Sequence, residues 1–79
     1  MAHMKRRPPA REFVLCVDNT DCQDLELRKV YRLCPDKASE KEGYLRVIDE
    51  SGEDYLYPAS YFVRVRLPLA AEQAIAAAG

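Results

Sequence analysis

The chain has 79 residues, the size of one small domain, because domains of about 100 to 200 residues are typical. Hydrophobic residues make up 48% of it and charged residues 32%, and only three residues are glycine. This composition indicates a globular protein and excludes disordered and collagen-like classes. A domain this small has a thin core, which excludes Rossmann domains and barrel enzymes, and no cofactor is expected.

Charge is distributed unevenly along the chain, whose formal net charge is −1. Residues 1–11 hold four basic residues and no acidic one, whereas the remainder holds eight basic residues against thirteen acidic ones. Residues 1–4 have the pattern of an expression-tag remnant followed by a natural start at Met4, and the remnant is set aside in fold reasoning. It contains the single histidine, His3. Without His3, no obvious base activates a nucleophile, so we expect no enzyme activity.

The three cysteines indicate a reducing compartment. They are Cys16, Cys22 and Cys34, an odd number without a C-x-x-C motif, which fits free thiols in a cytoplasm. Cys16 and Cys34 lie in apolar runs and are expected to be buried, while Cys22 lies in a polar loop. The chain has no apolar run of about 18 residues, so no membrane span is predicted, and we expect a cytoplasmic protein.

The predicted organisation begins with a flexible basic arm over residues 1–11, where Pro8 and Pro9 favour an extended conformation. The domain itself is predicted to span residues 12–67. Within it, short runs of apolar and β-branched residues alternate with polar turns, a pattern typical of strands. The first two predicted strands are residues 13–17 and 29–34, joined by a polar loop.

A charged loop over residues 36–43 leads to a predicted hairpin of residues 44–57, in which Gly52 supplies the turn. Residues 58–60 are predicted to form one 3₁₀ turn, and residues 61–67 alternate apolar and basic side chains as a fifth strand. The Ala-rich residues 68–79 are expected to be a short helix or disordered, because isolated helices of this length are marginal in water.

Alternation within these strands predicts which side chains form the core, because successive residues of a strand face opposite sides of the sheet. Tyr31 and Leu33 are expected to share the inner face. The predicted core comprises Phe13 or Val14, Leu15, Val17, Leu27, Leu33, Val47, Leu56, Val63 and Val65.

Several motifs in this region resemble a known family. Leu56-Tyr57-Pro58-Ala59-Ser60-Tyr61-Phe62 is similar to the last-strand signature of SH3 domains, and Gly43-Tyr44-Leu45 lies where those domains place Gly and a tryptophan pair. Together with Cys16-Val17-Asp18-Asn19, these motifs resemble small SH3-like proteins of bacteria and phages over residues 12–66. The resemblance implies an all-β fold, a small five-stranded SH3-like barrel, in a bacterial protein.

The resemblance also implies a ligand groove. SH3-type grooves bind a polyproline segment against aromatic walls and place acidic residues beside its Arg or Lys. Tyr44, Pro58 and Tyr61 occupy three matching positions, and Asp18 and Asp21 of the first loop are the corresponding acids. The chain is therefore interpreted as a noncatalytic protein-interaction or accessory module with a protein or peptide partner.

Two alternatives remain at this point, and the sequence specifies no oligomeric state. The tyrosines suit a purely structural role, since Tyr buries its ring and keeps its hydroxyl hydrogen-bonded. Small barrels also bind nucleic acid, and the arm together with Arg46, Arg64 and Arg66 offers cations for phosphates. The net charge of −5 beyond the arm makes nucleic acid the less favoured partner.

The acidic turn of the hairpin contains Asp49, Glu50, Glu53 and Asp54. Their spacing fits no EF-hand loop, and alternate residues of a hairpin face opposite ways. A solvated turn is therefore expected there, and no metal site.

Overall fold

A computed structural model describes residues 12–78, with side chains to residue 75. The predicted arm of residues 1–11 lies outside this range. Within it the chain forms a sheet of five strands with two short α-helices and one 3₁₀ turn, η1 (Ala59–Tyr61). The strands are β1 (Phe13–Cys16), β2 (Val30–Cys34), β3 (Tyr44–Ile48), β4 (Asp54–Pro58) and β5 (Phe62–Val65), and the helices are α1 (Lys37–Lys41) and α2 (Leu69–Ala78).

The strands lie in the order β4-β3-β2-β1-β5, and every neighbouring pair is antiparallel. The first and last strands of the chain therefore pair with each other, with Leu15 opposite Val63. Strands β4 and β5 form the two edges, and no pairing within residues 12–78 joins them. The prediction of five strands is confirmed, and the sheet they form is open.

The core lies on the inner face of this sheet. Because alternate residues share a face, β1 contributes its even-numbered positions and β2 and β3 contribute their odd-numbered ones. The buried cluster consists of Val14, Cys16, Leu25, Tyr31, Leu33, Leu45, Val47 and Phe62. Complete burial of such an apolar side chain stabilises the fold by about 1.5 to 3 kcal/mol.

The core prediction is correct for Phe13 and Val14, for Leu33 and for Val47, all of them buried. It is wrong in the phase of β5, that is, in which of its alternate residues face the core. Phe62 faces the core, and the outward Val63 is 51% exposed. On β4, Tyr57 packs against the core cluster. Five further predicted core residues are not buried: Val17, Leu27 and Leu56 are exposed, and Leu15 and Val65 are half-buried.

Helix α1 replaces part of the predicted loop over residues 36–43. The Asp36 carboxylate accepts a hydrogen bond from the backbone N–H of Ser39 at 3.1 Å and another from its hydroxyl at 2.8 Å. An Asp at this position satisfies backbone donors that have no partner inside the helix. Arg46 of β3 donates to the same carboxylate at 2.9 Å, so the helix is tied to the sheet.

Helix α2 covers part of the outer face of the sheet by packing on β2. On this face Phe13, Arg32 and Ile48 lie side by side across β1, β2 and β3. Ile75 of α2 is half-buried, whereas Leu69 is 59% exposed. The tail is thus a helix whose contact with the domain runs through Ile75, which is one of the two outcomes expected for it.

The hairpin turn contains a buried acid, which corrects the expectation of a fully solvated turn. Gly52 has a φ of +86°, a conformation that glycine adopts without steric cost. Asp49, however, is only 5% exposed. Its carboxylate accepts hydrogen bonds from the N–H and hydroxyl of Ser51 and from the Tyr57 hydroxyl, so its burial is compensated.

The three cysteines are free thiols. Cys16 is buried as predicted, and Cys34 is half-buried, which is less than predicted. Cys22 lies in the first loop but packs against the core cluster. Burial raises the pKa of Cys22, and the charges of Asp21 and Asp18 raise it further, so this thiol is a poor nucleophile at neutral pH.

Candidate functional site

The first loop, between β1 and β2, has a fixed shape set by its own polar residues. The Asp18 carboxylate accepts hydrogen bonds from the backbone N–H of Thr20 at 2.9 Å and from its hydroxyl at 2.7 Å. Asp21 follows with a φ of +60°, a conformation that Asp tolerates better than most residues. The Asn19 side chain donates to the carbonyl of the buried Leu25 at 3.0 Å.

Tyr61, the last residue of the 3₁₀ turn η1, connects this loop to that turn. Its carbonyl accepts hydrogen bonds from the N–H groups of Val17 at 2.8 Å and Asp18 at 3.3 Å. Its hydroxyl donates to the carbonyl of Thr20 at 3.1 Å. The ring is half-buried against the core cluster, so Tyr61 holds the acidic loop beside η1.

Tyr44 and Pro58 form a second group. They are direct partners in the pairing of β3 with β4, which brings neighbouring side chains to within about 4.5 to 5.5 Å. The N–H of Ala59 donates to the carbonyl of Gly43 at 2.9 Å, which closes η1 against the start of β3. Tyr44 is 44% exposed, so part of its ring is open to a ligand.

The five residues expected to bind a ligand thus fall into two groups joined by η1. Asp18 and Asp21 lie with Tyr61, and Tyr44 lies with Pro58, which precedes η1 directly. Within the part of the chain that the structure describes, no ring contact joins Tyr44 to Tyr61. We define the tyrosine shelf as Tyr44, Pro58 and Tyr61.

The electrostatic environment around the shelf is negative. Burial raises the pKa of Tyr61, and the charges of Asp18 and Asp21 raise it further. The pKa of Tyr55 is raised chiefly by the charge of Glu53 and its hydrogen bond, with a smaller effect from Asp24. Acidic residues therefore also lie near Tyr55, a tyrosine that the sequence analysis did not select as a binding residue.

Asp21 and Asp24 make no ion pair with any residue of the range 12–78. Their negative charges are therefore available to an external cation. Tyr55, which is 49% exposed, was missed as a surface residue. Its two-residue spacing from Tyr57 places both on the face of β4 that packs toward the core, so alternation gave no signal of its exposure.

The basic residues considered for nucleic acid are not gathered on one face. Arg46 lies on β3 and Arg64 on β5, and two strands separate them. Arg46 pairs with Asp36 and with Asp54, at 2.9 and 3.1 Å. Arg64 pairs with acids in turn, so the cationic charge at these positions is largely neutralised.

Among residues 12–78, no group of three or more His, Cys, Asp or Glu side chains is arranged to hold a metal ion. No helix in that range is long and apolar enough to cross a membrane. Comparison of the chain with models of protein families, with curated proteins and with solved structures gave no match.

Proposed function

We propose that the protein is a noncatalytic interaction module, an SH3-like barrel in kind, which binds an extended basic segment of a partner protein. The pairing of β1 with β5 and the 3₁₀ turn before β5 support the barrel assignment. The segment would contain proline and lie on the tyrosine shelf, with its Arg or Lys side chains beside the first loop.

The observation that carries this proposal is the attachment of Tyr61 to a loop whose acids lack cations. The hydrogen bonds from Val17 and from the Tyr61 hydroxyl fix the ring against the loop. A cation placed there meets the Tyr61 ring together with the negative charges of Asp18 and Asp21, which act on this tyrosine. A rigid, preformed surface of this kind also lowers the entropic cost of binding.

The expected affinity is low. Exposed ion pairs contribute about 0.2 to 1 kcal/mol each, and Tyr offers a weaker cation site than Trp. Specificity for a basic proline-containing segment therefore comes from the combination of ring contact and charge. We expect the binding to be weak but measurable by titration with millimolar peptide.

Titration of the isotope-labelled full chain with the peptide KRRPPAR, followed by amide NMR shifts, tests the proposal. We expect saturable shifts centred on Tyr44 and Tyr61. Asp21→Asn keeps a residue that tolerates positive φ and should weaken binding about two- to fivefold through the lost charge. Glu42→Gln, an exposed acid at the end of α1, is the matched control and should leave binding unchanged.

The contradicting result is an absence of shifts at Tyr44 and Tyr61 at millimolar peptide. Equal weakening by Asp21→Asn and Glu42→Gln would show that the peptide senses only the overall negative charge. A peptide of the same length with glutamates in place of its basic residues should not bind.

A further inference from the structure

A cavity of about 300 Å³ lies between helix α2 and the outer face of β2 and β3. Its volume falls at the lower end of the range of about 300 to 1,000 Å³ that is typical of small-molecule sites. Apolar side chains and charged ones line it together. Its lining includes Val30, Ile48, Ile75, Lys29, Arg32 and Glu50.

Arg32 occupies the centre of this outer face. It is the direct strand partner of Phe13 on one side and of Ile48 on the other. Its side chain is half-buried, yet it makes no ion pair or hydrogen bond with any described residue. Arg46, also half-buried, is bound by the carboxylates of Asp36 and Asp54.

The absence of a counter-charge at Arg32 matters because partial burial strips water from a guanidinium. The other charged groups near the cavity have partners within the chain. Lys29 pairs with Glu50 at 2.5 Å, and the Tyr31 hydroxyl donates to the same carboxylate at 2.6 Å. The Asp49 carboxylate accepts hydrogen bonds from the uncharged groups of Ser51 and Tyr57. Arg32 is therefore the cation at the cavity that has no ion-pair partner among the described residues.

We propose that this cavity binds a small organic carboxylate with an apolar body. The planar guanidinium of Arg32 offers two parallel N–H donors, which match the two oxygens of a carboxylate. Val30, Ile48 and Ile75 would contact the apolar part of the ligand and shield the ion pair from water.

A carboxylate fits this site better than a phosphate does. The nearest second cation, Lys29, is already engaged by Glu50, and the Glu50 carboxylate would repel a further negative charge. One unmatched cation among three apolar side chains therefore favours a ligand with a single charge. This inference does not rest on the tyrosine shelf or on its proposed partner.

Octanoate is a suitable probe, and 1-octanol is its uncharged counterpart. Isotope-labelled full chain is titrated with each probe, and amide shifts and calorimetric heats are recorded. We expect saturable octanoate shifts at residues 30, 32, 48 and 75. Arg32→Gln should weaken octanoate about tenfold or more, because a charge-assisted pair is lost. 1-Octanol should bind weakly both to the unsubstituted chain and to Arg32→Gln.

Arg66→Gln is the matched control, since Arg66 is exposed and makes no ion pair with a described residue. It should change octanoate binding less than about twofold, as expected for a screened distant charge. Ile75→Ala keeps Arg32 and should weaken both probes. If Arg32→Gln loses its dispersed spectrum, Arg32→Lys replaces it, and octanoate binding should weaken there because the two parallel donors are lost.

The proposal is overturned if millimolar octanoate produces no saturable shifts at those residues. It is equally overturned if octanol binds as tightly as octanoate. The same holds if Arg32→Gln and Arg66→Gln weaken octanoate binding to the same extent. Failure of this experiment leaves the peptide titration unaffected, because the two sites share no lining residue.

Discussion

Asp49 shows how one buried residue organises the turn between β3 and β4. Its carboxylate accepts hydrogen bonds from the N–H of Ser51 at 2.9 Å, from the Ser51 hydroxyl at 2.5 Å and from the Tyr57 hydroxyl at 2.6 Å. Burial acts to raise the pKa of Asp49, but the hydrogen bonds from Ser51 and Tyr57 outweigh it. The pKa therefore lies below its ordinary value of 3.8.

Replacement of Asp49 by Ala should lower the free energy of unfolding by about 1 to 3 kcal/mol at pH 7, because it leaves donors unpaired near the core. Since the native pKa of Asp49 is lowered, its ionised form stabilises the fold above pH 3.8. That contribution is lost as the pH falls through the native pKa. Urea denaturation of the natural chain and of Asp49→Ala, at pH 7 and at about pH 2, measures both effects.

The difference in stability between the two proteins should therefore shrink toward pH 2. Tyr57→Phe removes one of the donors and keeps the carboxylate, so it should cost less than Asp49→Ala. A difference that is the same at both pH values would show that the ionised carboxylate is not what stabilises the turn.

Among the elements, β5 shows that strand position and strand phase are separate questions. Its sequence places Phe62 and Val63 next to each other, and either could face the core. In the structure Phe62 is 8% exposed and meets the Tyr57 ring edge-on at a centroid distance of 6.1 Å, whereas Val63 is 51% exposed. Packing against β4 across the core therefore decides the phase.

Two valine-to-alanine substitutions test this assignment. Val47→Ala, at a position that is 0% exposed, should lower the free energy of unfolding by about 1 to 3 kcal/mol through lost burial and a cavity. Val63→Ala should cost less than about 1 kcal/mol, because half of its surface is already in water. Denaturant titration of both variants measures the costs. Equal costs would show that β5 turns Val63 inward.

The sequence predicts the five strands well, because their alternation and turn residues are local signals. It gives the wrong inward face for β5, because the alternation of Val63 and Val65 with Arg64 points to the valines. Phe62, on the same face as Arg64, packs in the core instead. Helix α1 was missed for a different reason. Its five residues are too few to be stable alone, and the contact of Asp36 with Arg46 fixes them.

The candidate site was predictable in part. The pairing of Tyr44 with Pro58 follows from the hairpin. The hydrogen bond of Tyr61 to Thr20 joins residues far apart in the chain, for which the sequence has no local signal. The Arg32 cavity was not predictable, because it exists only where α2 packs on the sheet. Alternation places Arg32 on the outer face with Val30, but it does not say that Ile75 covers that face.

For the whole molecule, the distribution of charge is the property that bears most on function. Beyond residue 11 the chain has a net charge of −5. Arg64 pairs with Glu12 at 2.9 Å and with Glu40 at 3.4 Å, and Arg46 is paired as well. The first loop, by contrast, exposes acids without cations. The described domain therefore carries a net negative charge, which favours basic ligands over phosphates.

This charge distribution predicts weak binding to nucleic acid. Lysine and arginine contacts to phosphates supply most nonspecific affinity, and that affinity falls steeply with salt. We expect the full chain to bind a labelled single-stranded DNA or RNA oligonucleotide only at low ionic strength. Near 0.15 M salt, where the Debye length is about 8 Å, fluorescence anisotropy should show no saturation at micromolar protein.

Residual binding at low salt should disappear in a variant with Arg6→Ser and Arg7→Ser, because these residues belong to the basic arm. Arg66→Gln, which removes one charge from the domain, should have a smaller effect. Saturable binding with a dissociation constant below about 1 μM at physiological salt, tighter than the usual nonspecific range, would contradict the interaction-module proposal and establish nucleic acid as the ligand.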